Sequence, residues 1–223
     1  MNLKPSLMRV FLFIDTCILL KDKLTGKYLL PLIAAVSALN RFEKLKDLIG
    51  EAKKRRVPFT KIYETLLQNY LFAGYPSALS SLKILKEYFP KIKMPKAADM
   101  NLYHFRKMGE VRCRKVYGEK YEKLISNIKK FSPELSEWLV LEGYGKVLGR
   151  KGLSFKEREL CIAAVLTVMK FEEQLYSHIN GAIRAKASMK EIETVIKNLN
   201  YIRKNYSRFG EKVLRRYKRE KGM

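Results

Sequence analysis

Cysteine is scarce in this 223-residue chain and histidine scarcer: Cys17, Cys113 and Cys161 stand far apart, and only His104 and His178 supply an imidazole. Isolated cysteines argue against a disulfide framework or a structural zinc site. With no His-x-x-x-His and no acidic calcium loop, no metal is expected. The glycines Gly143, Gly145, Gly149 and Gly152 are spread through a helix end and its turn, so no phosphate loop is present. Period-two alternation is nearly absent, and no Asn-Gly or Asp-Gly pair separates two alternating runs. The longest apolar run, residues 8–20, is too short to span a bilayer and is interrupted by Asp15. It reads as a buried first helix, and no signal cleavage site follows it. No membrane partner is expected, and the isolated cysteines suit a reducing cytoplasm.

Acid is the other shortage. Against 46 Lys and Arg there are 22 Asp and Glu, a net charge of +24. Basic residues gather at 53–56 and along 203–221, the latter interleaved with Tyr206, Phe209 and Tyr217. Such a surface suits phosphate contacts with base stacking, which makes nucleic-acid binding a second reading. No nucleic-acid module accompanies it. The same charge concentrates a small anionic substrate at a cleft.

What is present is helical. Breaks near Pro58, 74–76, 90–95, Ser132-Pro133 and 149–152 leave about ten helices, so the fold class is all-α. The length suits one substantial core or two small ones. Residues 90–95, with Ala97 and Ala98, make the best linker, dividing the chain into 1–92 and 93–223. Ser132 as N-cap with Pro133 after it starts a helix carrying Trp138. Ser154 with Glu157, and Ser188 with Glu191, read as capping boxes. Between them lie two helical runs, one ending near Lys170 and one from about Glu172 to Lys186. In an antiparallel hairpin Glu159 and His178 differ by roughly 6 Å along the axis, within reach of a carboxylate and an imidazole. His104 has no partner suggested by spacing.

The words LSFKERELCIAAVL, EEQLYSHINGAI and SMKEIETVI resemble the carboxymuconolactone decarboxylase family of the alkylhydroperoxidase D-like superfamily. The resemblance implies an all-helical bundle with catalytic Glu159 and His178. Arg158 or Arg184 would hold the substrate carboxylate, and Trp138, Tyr144, Phe171 and Gln174 would line the pocket. The superfamily's peroxidase branch uses a Cys-x-x-Cys pair ahead of the histidine. Here those positions are Phe171 and Gln174, so thiol peroxidase activity is disfavoured. What remains is glutamate–histidine chemistry on a small carboxylated lactone or similar anion, with no cofactor.

The first half resembles the same family. RVPFTKIYETLLQNYLFAGYPSA at 56–78 carries its Tyr-x-x-Ala-Gly-x-Pro corner, and IAAVSALNRFEKL at 33–45 echoes IAAVLTVMKFEEQL at 162–175. Ile62 falls against Ile192 at an offset of 130, with one residue of slack earlier. The chain then reads as two diverged copies of one unit, a pseudo-dimer. The first copy has Leu29 or Leu30 for Glu159 and Leu48 for His178. The second has Arg203 to Tyr206 where the first has its corner, and no bend is expected there. Since family members usually form rings, a homo-oligomer is expected, a trimer of pseudo-dimers being the natural analogue. Replacing His178 by alanine is expected to leave the melting temperature nearly unchanged.

Overall fold

The computed structural model describes residues 26–96 and 100–223, and these are helical with no strand. The expected first helix at 8–20, Cys17, and Ala97 and Ala98 of the linker lie outside the described residues. In chain order come α1 (Gly26–Ala38), α2 (Phe42–Lys54), α3 (Phe59–Gln68) and α4 (Tyr70–Tyr88). Next are α5 (Leu102–Tyr117), α6 (Tyr121–Lys129) and α7 (Pro133–Trp138), the last continuing as a π-helical stretch over Leu139–Val147. The second half ends with α8 (Phe155–Met169), α9 (Glu172–Arg184), α10 (Met189–Asn198) and α11 (Ser207–Lys221).

Local chemistry sets these boundaries. Ser154 and Ser188 each accept from the backbone N–H of the glutamate three residues on, and Glu157 and Glu191 each accept from the serine N–H. Two donors that a helix start leaves orphaned are thereby satisfied at α8 and at α10. Ser132 caps α7 through the Leu135 N–H, with Pro133 at the first position where no N–H is needed.

The backbone repeats at a shift of 130 residues. Adding 130 to the bounds of α2 and α3 gives those of α9 and α10. The left-handed residues Asn40 (φ 55°) and Arg56 (φ 56°) recur as Lys170 (φ 63°) and Lys186 (φ 66°). The bonds Arg41 N–H to Val36 O and Val57 N–H to Ala52 O recur as Phe171 to Leu166 and Ala187 to Ala182. Because the shift is already 130 at Val36 and Leu166, the helical register sets Glu159 against Leu29 rather than Leu30. The bend expected only in the first half occurs in both. Gly74 breaks α4 at φ 77°, and Asn205 at φ 71° precedes α11. Asparagine tolerates the left-handed region, so no glycine is needed to turn the chain there.

Helices α1 and α8 pack against each other, and residues of both halves form one continuous buried cluster including Leu29, Ile33, Ile49, Ile162, Leu166 and Ile179. Helix α5 lies hard against the π-helical stretch. A β-carbon on Gly109 would overlap the Val140 carbonyl, and one on Gly145 the Phe105 carbonyl. This crossing presses Tyr144 and the end of α5 towards α8.

Candidate functional site

Glu159 lies in the second turn of α8 and His178 midway along α9, and the hairpin brings Nδ1 of His178 within 2.8 Å of Glu159 Oε2. Glu159 is 1% exposed and His178 5%. A carboxylate on Nδ1 fixes the ring's orientation and puts a proton on that nitrogen, leaving Nε2 as the exchangeable one. Nε2 makes no hydrogen bond among the described residues. The pair is thus closed on its Nδ1 side, while Nε2 has no partner among the described residues.

Three neighbours come from outside the stretch that suggested the pair. Phe72 of α4, half-buried, presents its ring edge-on to His178 with centroids 6.3 Å apart. Gly181, one turn beyond His178, makes room for the carboxylate: any β-carbon there would overlap Glu159 Oε2. Tyr117 and Tyr144 meet edge to face at 6.1 Å, near enough to Glu159 to feel its charge. Burial pushes the Tyr117 hydroxyl up to about 12 and raises that of Tyr144 well above its ordinary value, so both stay protonated at neutral pH. Tyr117 and Phe72 carried no sequence signal, since each stands in an unremarkable aromatic run far from the hairpin. Gly181 stood in view beside the histidine but needed the neighbouring helix to give it meaning.

The two arginines go elsewhere. Arg158 is one residue from Glu159, hence about 100° round the helix. Its guanidinium is 2% exposed and donates to Glu64 Oε2 at 2.9 Å, Gln68 Oε1 at 3.1 Å and the Arg150 carbonyl at 2.9 Å. Arg184 donates to the Val116 carbonyl at 2.6 Å, holding the end of α5 against α9. Arg158 is thus taken up inside the protein, while Arg184 is exposed at the end of α9. Of the four residues expected to line the pocket, Tyr144 is buried by the site. Phe171 and Gln174 are exposed on the helical stripe that carries His178, and Trp138 is 54% exposed on α7.

The two thiols among the described residues are poor nucleophiles. Cys113 and Cys161 are buried and free, and burial pushes each up to about 12. A thiol held so high carries almost no thiolate at neutral pH. Among the described residues no group of side chains is arranged to hold a metal ion, and no helix is long and apolar enough to cross a membrane.

Residues 133–202 match the family model of the carboxymuconolactone decarboxylase family, and both members of the buried pair fall inside the match. Over that segment the chain is similar to the carboxymuconolactone decarboxylase family. It is also similar to Peroxisomal protein 2 of Schizosaccharomyces pombe (strain 972 / ATCC 24843), 26% identical over 166 residues, which cover 72% of this chain and 78% of the relative. That similarity is longer than the family segment by some way. The carboxymuconolactone decarboxylase-family segment supplies α7 to α10, while Phe72 and the acid that holds Arg158 come from outside it.

Proposed function

We propose that Glu159 and His178 form a cofactor-free proton-transfer site of the carboxymuconolactone decarboxylase kind, acting on a small carboxylated lactone or similar anion. The observation that carries this is the buried 2.8 Å bond that leaves His178 Nε2 without a partner. In the decarboxylation, the bond between the carboxylate and its carbon breaks and carbon dioxide leaves. The electron pair passes into the substrate's own conjugated carbonyl as an enolate. His178 then delivers a proton from Nε2 to carbon, and Glu159 holds the ring in place as the imidazole's charge changes. Since Arg158 and Arg184 are engaged by protein acceptors, we assign them to positioning: Arg158 steadies α8, and Arg184 keeps α5 and Tyr117 in place.

In this reading the chain is two diverged copies of one helical unit. The first contributes Phe72 as a wall of the site that the second contains, and such units associate further into a homo-oligomer. A thiol peroxidase reading is disfavoured by Phe171 and Gln174 at the Cys-x-x-Cys positions. Nucleic-acid binding stays behind the enzyme reading, because part of the basic surface is consumed by Arg216 with Glu172 and by Lys218 with Glu193. The compartment, cytoplasm by the sequence or peroxisome by the relative's name, is separated by imaging the tagged full chain.

The test is turnover of carboxylated lactones followed by carbon dioxide release. His178→Gln should lower kcat by about 10²–10⁴-fold, the usual worth of a positioned proton donor. Glu159→Gln should lose less, since an amide still accepts from Nδ1–H. Equal small losses from both would reduce the pair to a structural bond and end the reading.

A further inference from the structure

The 130-residue shift has a second use. It carries Phe171, Gln174 and His178 onto Arg41, Lys44 and Leu48, and Phe72 onto Ile202. Arg41, Lys44 and Ile202 are not scattered: together with Arg203 and Tyr206 they line one cleft of about 270 Å³. The cleft therefore occupies the place in the first half that corresponds to the surroundings of Phe171, Gln174 and Phe72 in the site of the second. Its reactive pair is missing, because Leu29 and Leu48 are buried there with 0% and 2% exposure.

Charge has replaced chemistry in this cleft. Three cations converge on it and no carboxylate lines it. Lys44 donates to the Tyr201 carbonyl at 3.4 Å and stands 5.6 Å above that ring, and neither contact neutralises it. No carboxylate pairs with Arg41 or Arg203 among the described residues. Elsewhere some cations are paired, Arg216 with Glu172 at 3.1 Å and Arg55 with Glu51 at 2.6 Å among them. Three like charges around one volume repel, and a doubly charged anion relieves that repulsion most. Arg41 and Arg203 supply planar donor forks suited to oxyanions, and Tyr206 adds an aromatic ring and a hydroxyl. The cleft has room for a compact anion with part of its hydration.

We propose that this cleft is a non-catalytic binding site for a small dianion, held through phosphate or paired carboxylate oxygens. The assignment rests on the two-copy reading for its origin and on the cleft itself for its chemistry. Titration calorimetry on the full chain, at ionic strength fixed with sodium chloride, tests it with inorganic phosphate and with succinate as probes. One equivalent of either should bind per chain, and the preferred probe reports whether a tetrahedral or a dicarboxylate anion fits. Arg41→Gln with Lys44→Gln should weaken binding at least tenfold, and Arg203→Gln, on the opposite wall, should do so independently. All three side chains stand on the surface side of their elements, so circular dichroism should show the variants folded. His178→Gln should bind as the wild type does, which separates this site from the proposed reaction. The absence of saturable heat would overturn the proposal. So would equal heat in the variants, or loss of binding when chloride alone is exchanged for another monovalent anion.

Discussion

Gly181 lies one turn beyond His178, and its missing side chain is what lets the Glu159 carboxylate reach the ring. Gly181→Ala should displace Glu159, lower any turnover in parallel with Glu159→Gln, and destabilise the fold by about 1–3 kcal/mol through overpacking. A variant as stable and as active as the parent would show that the carboxylate has another place to go. The burial of the pair also changes the expectation for His178. With Glu159 at 1% exposure, His178→Ala would leave a buried carboxylate unpaired, a loss of about 3–5 kcal/mol, rather than a nearly unchanged melting temperature. Glutamine, which can still meet the carboxylate, is the better probe of chemistry.

At the scale of the element, the start of α8 is a small pH-sensitive device. Burial alone would push Glu157 up, but the Lys61 ammonium at 2.5 Å and the Ser154 cap outweigh it and hold the carboxyl below its ordinary value of 4.5. A carboxyl whose folded value is depressed stabilises the fold above its unfolded value, and that share is lost as pH falls through the folded one. The gap in melting temperature between wild type and Glu157→Gln should therefore be widest near neutrality and narrow as pH drops below 4.5. A gap independent of pH would mean that the capping geometry, not the charge, matters. Ser154→Ala should cost about 1 kcal/mol at any pH where the helix forms.

For the molecule as a whole, a buried ionic bond joins the halves alongside the apolar cluster they share. Arg158 of α8 meets Glu64 of α3 with side chains 3% and 6% exposed, and Arg150 adds a second guanidinium to the same carboxylate at 2.8 Å. Arg158→Met should cost about 3 kcal/mol, because Glu64 loses its buried partner and keeps only the more exposed Arg150. Combined with Glu64→Gln, the double variant should be more stable than the sum of the single losses predicts. Simple additivity would show that the two side chains do not act as a pair. In the first half the counterparts of Glu159 and His178 are leucines, and an apolar pair of that kind is at least as stabilising as a buried ion pair. A polar pair kept in one half alone is what a chemical use would require.

The sequence by itself determined the helical class, both capping boxes, the α8–α9 hairpin and the meeting of Glu159 with His178. Each of these depends on spacing within a few turns, where 3.6 residues per turn and the chemistry of helix ends act without knowledge of the rest of the chain. The tertiary structure alone decided what surrounds the pair. Phe72 reaches His178 from 106 residues away, and Arg158 finds Glu64 across the halves, 94 residues off. Tyr117 stands by Glu159 because Gly109 and Gly145 let α5 and the π-helical stretch touch backbone to backbone. The bend at Asn205 was invisible for a related reason: a left-handed asparagine looks like any other polar residue until its neighbours fix the backbone around it. Arginine was the most misleading letter, since one next to a candidate site glutamate can hold a substrate or hold the fold. Which helix face it shares, and which acid waits there, is set by packing over the whole chain.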